Sequence, residues 1–313
     1  MKKKYCAAVI MGGGLWGLIG LFGRLYSMQG ISKLGAIIIR NGSSALFFLL
    51  VILFNDSSSL RIRIKDLWGF TFLALSGTVI YHFFYYCAIS VSSLAMVSVF
   101  IASAPIFIVI LSFFIFKEPL TKSKLIAMPL CVAGCTLASG LSGDMNISLL
   151  GIIYSVCAAV SYGAFGIISR IMMNKGYSAN TVNFYNCVCA AIICCFLADT
   201  PETIRIILSS FSNVLMGIAS GFLTCFLADL LYLYGLSGVD TGKASIMASS
   251  EMIVTTLIGV FIFHEKLGPL TVTGMILVIL GVYIINRPVN TAVNKNHFSD
   301  LFQRIRHYIG RKI

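Results

Sequence analysis

Residues 67–116, LWGFTFLALSGTVIYHFFYYCAISVSSLAMVSVFIASAPIFIVILSFFIF, contain no Asp, Glu, Lys or Arg. A helix needs roughly 20 apolar residues to cross the hydrocarbon core of a bilayer, so this stretch is too long for one crossing and long enough for two. The small polar residues of Ser90–Ser93 lie near its middle and favour a tight turn. The stretch therefore predicts two consecutive transmembrane helices, over 67–89 and 94–116.

The same apolar character extends over most of the chain. Of its 313 residues, 58% are hydrophobic and 11% are charged, whereas about a quarter of the residues of a soluble protein are charged. The long continuous runs exclude a transmembrane β-barrel and predict an all-α integral membrane protein. The run that follows Lys2–Lys4 is long, so we interpret it as a retained first helix and not as a cleaved signal peptide. We predict ten transmembrane helices, at 5–27, 34–54, 67–89, 94–116, 122–141, 148–172, 180–198, 213–236, 241–263 and 270–286.

The positive charges of the loops predict the orientation of these helices. If the N-terminus is cytoplasmic, eighteen of the 23 Lys and Arg residues lie on the cytoplasmic side and four on the outer side, while Arg40 lies within a helix. This bias follows the positive-inside rule and predicts a multi-pass protein of the cytoplasmic membrane with both termini in the cytoplasm. The bias also explains the net charge of +12 without a nucleic-acid partner.

The two halves of the chain resemble each other. Residues of the first half recur at an offset of 146 (Trp16, Gly17, Gly20 and Arg24 against Tyr162, Gly163, Gly166 and Arg170) or 147 (Tyr85, Phe116, Glu118 and Gly134 against Tyr232, Phe263, Glu265 and Gly281). We predict two repeats, residues 1–144 and 145–287, and a basic amphipathic cytoplasmic tail, residues 288–313. Each repeat holds five helices, and because five is odd the two repeats are inverted. Inverted repeats are typical of secondary transporters, although a duplicated scaffold without a transport role is the alternative.

These features together resemble the drug/metabolite transporter superfamily, EamA type. The resemblance rests on the ten helices in two repeats, on the WGxxG pattern that begins at Trp16, on the phrases at Phe116–Leu120 and Phe263–Leu267, and on Gly134 and Gly281. It implies a carrier without ATPase domains, often an exporter of amino acids, nucleosides or other metabolites. It also implies a central cavity lined by the first, third and fourth helices of each repeat. The second half departs from the pattern at Tyr162, where the tryptophan is missing.

Two acidic residues lie within predicted helices and are the sharpest candidates for function. Glu251 lies in the ninth helix and Asp229 in the eighth, at similar predicted depth. A charge within the membrane is costly and usually serves a function, so we expect one of these acids to bind a proton or a cationic group of the substrate. The alternative is an acid that is neutralised by a structural hydrogen bond, by Arg40 or by Lys243.

Aromatic residues and a histidine form the second group of candidates. Tyr81 and Tyr85 share one face of the third helix, and with Trp16 or Tyr232 they are candidates for an aromatic wall that binds a ring or an organic cation. His82 aligns with Asp229 in the repeat and is a candidate for gating proton access. Packing within the bundle is the alternative for each of them.

Four further residues are predicted to have structural or gating roles. Arg40 lies near the outer end of the second helix, where we expect its long side chain to reach the headgroups or to form an ion pair. Glu118 and Glu265 end their helices beside basic residues, and Pro105 is expected to bend the fourth helix. The ten cysteines show no metal-ligand spacing and are interpreted as packing residues, so no metal or cofactor is expected.

The sequence thus favours a secondary active transporter, with export as the expected direction, that moves a small organic metabolite such as an amino acid, a nucleoside or an organic cation. Alternating access with proton coupling is the expected mechanism. A flippase for a lipid-linked substrate is the first alternative. A membrane-embedded enzyme is the second, although no paired His–acid set supports it. The sequence leaves a monomer and a homodimer equally open.

Overall fold

The computed structural model describes residues 2–55, 57–104, 106–107, 122–138, 148–236, 238, 247–248 and 250–285. This part of the chain is composed of helices joined by short turns and contains no strand. We number the helices by the ten predicted crossings. In the first repeat, helix 1 comprises Lys2–Trp16 and Ile19–Met28, helix 2 Lys33–Asn55, helix 3 Leu67–Leu73 and Ile80–Val91, helix 4 Leu94–Ala102, and helix 5 Lys122–Ala138.

The second repeat follows the same order. Helix 6 is Leu149–Asn174, helix 7 Ala179–Leu197, helix 8 Phe211–Gly221 with Ala228–Leu236, helix 9 Ser250–Phe261, and helix 10 Pro269–Ile285. A short helix that we did not predict, Thr200–Leu208, lies between helices 7 and 8. Pro105, Glu118 and the tail of residues 288–313 lie outside the described residues, so the expectations about them remain predictions.

Hydroxyl side chains set where several helices begin. Ser93, Ser148, Ser178 and Ser210 each accept a hydrogen bond from a backbone N–H in the first turn of helices 4, 6, 7 and 8. Those N–H groups have no partner within their own helix, and a serine at this position stabilises the helix by about 1 kcal/mol. The helices of this bundle therefore begin at positions that the local sequence specifies.

The exterior of the bundle is apolar, as a lipid-facing surface requires. Within the described residues, six helices are long and apolar enough to cross a membrane, and shorter apolar helices occur at Leu125–Leu137, Ser250–Phe261 and Pro269–Ile284. Many large apolar side chains are exposed on the outside of the bundle, with Phe54 and Phe196 each 86% exposed. Such a surface is stable against hydrocarbon and unfavourable against water.

The packing of the helices follows the repeat. Helix 1 packs on helices 8 and 9, and helix 6 packs in the same way on helices 3 and 4. Helix 2 packs on helix 8, and its counterpart helix 7 packs on helix 3. Helices 2 and 7, 4 and 9, and 5 and 10 are counterparts in the two repeats, and the members of each pair pack on each other. Exchange of the two halves therefore leaves this set of contacts unchanged, as a pseudo-two-fold relationship requires.

Two polar contacts show that the halves run in opposite directions. Arg24, in the Ile19–Met28 segment of helix 1, contacts Ser92 at the end of helix 3. Lys175, directly after helix 6, contacts Asp66 at the start of helix 3. Helices 1 and 6 thus end at opposite ends of the bundle, which we call the Arg24 end and the Lys175 end. The prediction of an all-α membrane protein with two inverted repeats is confirmed.

Helices 3 and 8 each contain a π-helical turn at corresponding positions. These turns are Ala74–Val79 in helix 3 and Phe222–Leu227 in helix 8. A π-helical turn inserts one residue and interrupts the regular hydrogen-bond ladder, which makes backbone carbonyl groups accessible to side chains. Both interruptions face the polar interior described below.

Candidate functional site

The predicted residues Trp16, Asp229 and Tyr232 meet where helix 1 packs on helix 8. The Trp16 indole Nε1–H donates a hydrogen bond of 3.0 Å to Asp229 Oδ1. The rings of Trp16 and Tyr232 lie with their centroids 5.0 Å apart. Helix 1 is interrupted directly after Trp16 and resumes at Ile19, so the indole lies at a break in the helix. The carboxylate of Asp229 is therefore held by a donor from the other repeat.

Glu251 lies at the start of helix 9, among the aromatic side chains of helices 3 and 6. Its carboxylate interacts electrostatically with the hydroxyl groups of Tyr81, Tyr85 and Tyr162. Tyr81 and Tyr85 are 5% and 3% exposed, while Glu251 is half-buried. The structure thus brings the predicted Glu251, Tyr81 and Tyr85 together.

Hydrogen bonds to helix 1 position Glu251. The hydroxyl of Ser250 donates to the carbonyl of Ile10 across 2.9 Å, and the hydroxyl of Thr255 donates to the carbonyl of Gly17 across 3.2 Å. Gly17 allows this close packing because a Cβ atom there would lie 2.8 Å from the Glu251 carbonyl oxygen. The first turns of helix 9 are thereby fixed against helix 1 on both sides of the acid.

Tyr162 is a member of this aromatic cluster that the sequence analysis did not select. Its ring contacts that of Tyr81, with centroids 5.5 Å apart in an edge-on arrangement. Tyr162 occupies the position that corresponds to Trp16 in the other repeat, and it was noted only as a departure from the family pattern. The repeat itself was the signal, since an aromatic residue stands at this position in both halves.

Arg40 is held inside the bundle, where its contacts fit a structural role although not the headgroup contact that we expected. Its side chain is 5% exposed and does not reach the headgroups. The guanidinium donates to Thr224 through Nε–H to Oγ1 and through Nη2–H to the carbonyl oxygen, each across 2.9 Å. Thr224 lies within the π-helical turn of helix 8, so the guanidinium binds the backbone where the regular hydrogen-bond ladder is interrupted. Among the described residues no carboxylate lies within 4 Å of Arg40, although Asp229 and Glu251 both lie within its electrostatic reach.

His82 is held in one neutral form by two hydrogen bonds. Its Nδ1 lies 2.8 Å from the carbonyl oxygen of Thr78, and its Nε2 lies 2.8 Å from Nη1 of Arg40. A carbonyl only accepts and a guanidinium only donates, so Nδ1 carries the hydrogen and Nε2 accepts. A second proton on the ring would break the bond to Arg40 and place two cations side by side. The geometry therefore favours the structural role for His82 over proton gating.

The contact of Arg40 with Thr224 has a counterpart in the other repeat. Asn186 lies 146 positions after Arg40, and Thr78 lies 146 positions before Thr224, so these two residues correspond to Arg40 and Thr224 in the repeat. The hydroxyl of Thr78 donates to Asn186 Oδ1 across 2.9 Å, between helices 3 and 7. The two halves thus share one polar contact, but only the first carries a positive charge. This difference makes the interior electrostatically asymmetric between the repeats.

A second cluster of polar contacts lies at the Arg24 end of the bundle. Arg24 forms an ion pair with Glu265 across 2.5 Å, and its guanidinium lies over the Phe263 ring, 4.6 Å from the centroid. It also donates to the carbonyl oxygens of Ser92 and, more weakly, Ile89 at the end of helix 3, across 3.3 and 3.5 Å. Both carboxylate oxygens of Glu265 accept from the N–H of Leu94 at the start of helix 4.

This cluster joins three parts of the chain by complementary charge. A cation lies against the carbonyl end of helix 3 and an anion against the amide end of helix 4, which is the arrangement that helix dipoles favour. His264, with φ of 54°, reverses the chain and directs Glu265 back toward helix 4. The expected structural or gating character of Glu265 fits this position, whereas Arg24 was noted only in the repeat and among the outer charges and was not selected as a site residue.

The described residues offer no arrangement for a metal. No group of three His, Cys, Asp or Glu side chains lies close enough to hold an ion in the described ranges. The polar interior instead combines two carboxylates, one guanidinium and several rings. It can bind a small polar solute within a bundle whose two halves are inverted.

Fold and interior together define a membrane transporter of two helical repeats, and comparison with known proteins identifies its family. The chain belongs to the EamA-like transporter family, which matches residues 3–140 and 149–287. An uncharacterized transporter of Archaeoglobus fulgidus is 28% identical over 84% of this chain and 91% of the relative. The uncharacterized transporter YwfM of Bacillus subtilis is 26% identical over 70% of this chain and 73% of the relative. A solved crystal structure, 16% identical, has a TM-score of 0.62 and covers 92% of this chain and 99% of its own.

These findings confirm the predicted family, and they support a transporter and not an enzyme. The family match covers both halves, as the internal repeat predicts. The crystal structure shares the fold over nearly the whole chain. The protein is a multi-pass membrane transporter.

Proposed function

We propose that this transporter is a secondary active carrier for a small organic cation, such as an amine or the amino group of an amino acid, and that Glu251 binds the positive charge. The observation that carries the proposal is the half-buried Glu251 carboxylate among Tyr81, Tyr85 and Tyr162. A carboxylate inside a membrane protein is stabilised by a cation, and aromatic faces attract organic cations.

Asp229 is proposed to share this site in a supporting role. Trp16 occupies one of its oxygens, and Tyr232 extends the aromatic surface from the opposite repeat. Arg40 lies within electrostatic reach of both acids and offsets part of their negative charge. A single positive charge on the substrate would then balance the interior.

Alternating access is the proposed mechanism. The inverted repeats support it, because exchange of their conformations would expose one site first at one end and then at the other. The Arg24–Glu265 cluster is proposed as the closed gate of the Arg24 end. Loop charge supports the proposal that this end faces outward in the cytoplasmic membrane, with both termini in the cytoplasm, and export coupled to protons is the direction that we propose.

The experiment is transport by the purified protein in proteoliposomes. A thermal-shift screen of amines and amino acids first selects a substrate, and its labelled form is then followed. We expect Glu251→Gln to reduce the initial rate at least about tenfold, since the variant keeps the size of the side chain and loses its charge. Glu202→Gln is the matched control, because Glu202 pairs only with Arg205 on an exposed helix.

The outcomes separate the competing functions. Wild-type rates in the Glu251→Gln variant would remove Glu251 from the mechanism. A substrate that is chemically altered on recovery would indicate an enzyme, and movement of a labelled lipid alone would indicate a flippase. Substrate-dependent acidification, read with a trapped pH dye, tests proton coupling, and inside-out against right-side-out vesicles test the direction.

A further inference from the structure

A cavity of about 250 Å³ opens at the Arg24 end, apart from the Glu251 site. It lies between helices 1, 2 and 3 and the segment that follows helix 9. Its lining includes the charged side chains of Arg24 and Lys33, the hydroxyl groups of Ser27 and Tyr86, and the apolar side chains of Ile89 and Phe263. We call it the Arg24 vestibule.

The charge of the vestibule is positive. Both of its ionised lining residues are basic, and none of the acidic residues in the described part of the chain lines it. Glu265, the acid nearest to this lining, is already engaged by Arg24 and by the N–H of Leu94. Lys33 is exposed and has no carboxylate within 4 Å among the described residues. The Arg40 guanidinium is not part of this lining, but it lies within electrostatic reach of Tyr86, which is.

Tyr86 lines this wall and carries a hydroxyl that is buried within the bundle. Tyr86 is 4% exposed, and its hydroxyl has no hydrogen-bond partner among the described residues. Leaving a buried hydroxyl without a partner costs about 1–3 kcal/mol, so such groups are rare unless a ligand completes them.

We propose that the Arg24 vestibule binds a small organic carboxylate. The two basic side chains and the Tyr86 hydroxyl supply donors for the carboxylate oxygens, while Ile89 and Phe263 supply an apolar wall for the carbon skeleton. An inorganic anion would leave that wall in contact with water. The site is independent of the proposed cation site at Glu251.

Binding of benzoate to the purified full chain in detergent tests the proposal. Labelled benzoate is titrated by scintillation proximity, and thermal unfolding is followed in parallel, since a ligand that binds the folded state raises the midpoint. Benzamide, which has the same shape without the charge, is the comparison ligand. We expect benzoate to bind and to raise the unfolding midpoint, and benzamide to do neither.

Two variants localise the binding. Lys33→Gln should weaken benzoate about tenfold, as expected for one lost charged hydrogen bond, and Lys33→Arg should retain it. Tyr86→Phe should weaken benzoate while the free protein is at least as stable as the wild type, because an unpartnered hydroxyl is removed. Lys266→Gln is the matched control, since Lys266 is an exposed lysine near Glu265 that does not line the cavity.

Several results would overturn the proposal. Equal binding of benzoate and benzamide would exclude recognition of charge. Equal affinities in the Lys33→Gln and Lys266→Gln variants, or an unchanged affinity in Tyr86→Phe, would place benzoate elsewhere. A loss in Glu251→Gln as large as in Lys33→Gln would assign benzoate to the central site. Because Glu251→Gln should otherwise bind benzoate normally, failure of the cation proposal is distinguishable from failure of this one.

Discussion

Trp16 and Asp229, 213 positions apart in the chain, are joined by a hydrogen bond of 3.0 Å from the indole Nε1–H to Oδ1. The bond links helix 1 of the first repeat to helix 8 of the second. The bond lies at the break in helix 1, between Trp16 and Ile19. It therefore connects this break to an acid of the interior. A rearrangement of the repeats during transport would either break this bond or move helices 1 and 8 together.

We predict that Trp16→Phe destabilises the protein by about 1–3 kcal/mol, because it leaves the Asp229 carboxylate without its donor. Asp229→Asn should cost less, since an amide oxygen still accepts from the indole. Thermal unfolding of the purified variants in detergent measures both. A larger loss for Asp229→Asn than for Trp16→Phe would contradict this account. Trp68→Phe is the control, as Trp68 is 67% exposed.

Arg40→Lys is predicted to lower both stability and transport. A lysine cannot reproduce the planar set of donors that bonds Thr224 twice and His82 once. We expect a loss of about 3 kcal/mol or more, because the acceptors are buried and would be left without donors. Thr224→Val removes only the hydroxyl and should cost less. Equal stability of the Arg40→Lys variant and the wild type would show that the positive charge alone matters.

Glu265→Ala is predicted to loosen the start of helix 4. The substitution removes the acceptor of the Leu94 N–H and the ionic partner of Arg24. Hydrogen exchange at the amides of Leu94–Met96 should accelerate about tenfold or more, a change that mass spectrometry of peptides resolves. Glu202→Ala should leave that exchange unchanged. If both variants exchange alike, the cluster does not hold the Arg24 end closed.

Gly42, in helix 2, and Gly221, in helix 8 where it packs on helix 2, give a matched pair of substitutions. A Cβ atom at Gly221 would lie 2.5 Å from the carbonyl oxygen of Arg40 and 2.9 Å from the amide nitrogen of Ser44, so Gly221→Ala forces helices 2 and 8 apart. We expect a loss of about 1–3 kcal/mol. Gly42 has nothing within 4 Å of that position, and Gly42→Ala should stabilise by up to about 1 kcal/mol through helix propensity. Thermal unfolding that shifts in the same direction for both would contradict the packing described here.

Much of the fold was predictable because hydropathy is a local property. Helix 2 was predicted over 34–54 and is Lys33–Asn55, and helix 7 was predicted over 180–198 and is Ala179–Leu197. The short helix Thr200–Leu208 was missed, although Asp199 as its cap, with Pro201 and Glu202 in its first turn, is a typical start signal. Its charged residues Glu202 and Arg205 do not fit an apolar crossing, which is the pattern from which the other helices were predicted.

The site was predictable only in part. The acids were selected because a charge inside a membrane is costly, and the aromatic residues because their faces can bind a ring or an organic cation. Glu251 lies within electrostatic reach of the hydroxyl groups of Tyr81 and Tyr85. Arg24 and Tyr162 were not selected. Arg24 was counted among the outer positive charges and in the repeat, and only the tertiary structure shows its ion pair with Glu265.

The sequence by itself determined that the chain crosses the membrane many times and that its two halves are inverted. Both follow from quantities that add along the chain, namely the apolar transfer free energy of each segment and the odd number of helices in each repeat. Only the tertiary structure decided which polar groups meet. His82 and Asp229 follow π-helical turns, each of which adds one residue and rotates later side chains by about 100°. Residue spacing cannot reveal such a rotation, so the partners of Arg40 and Asp229 emerge only when the helices are packed.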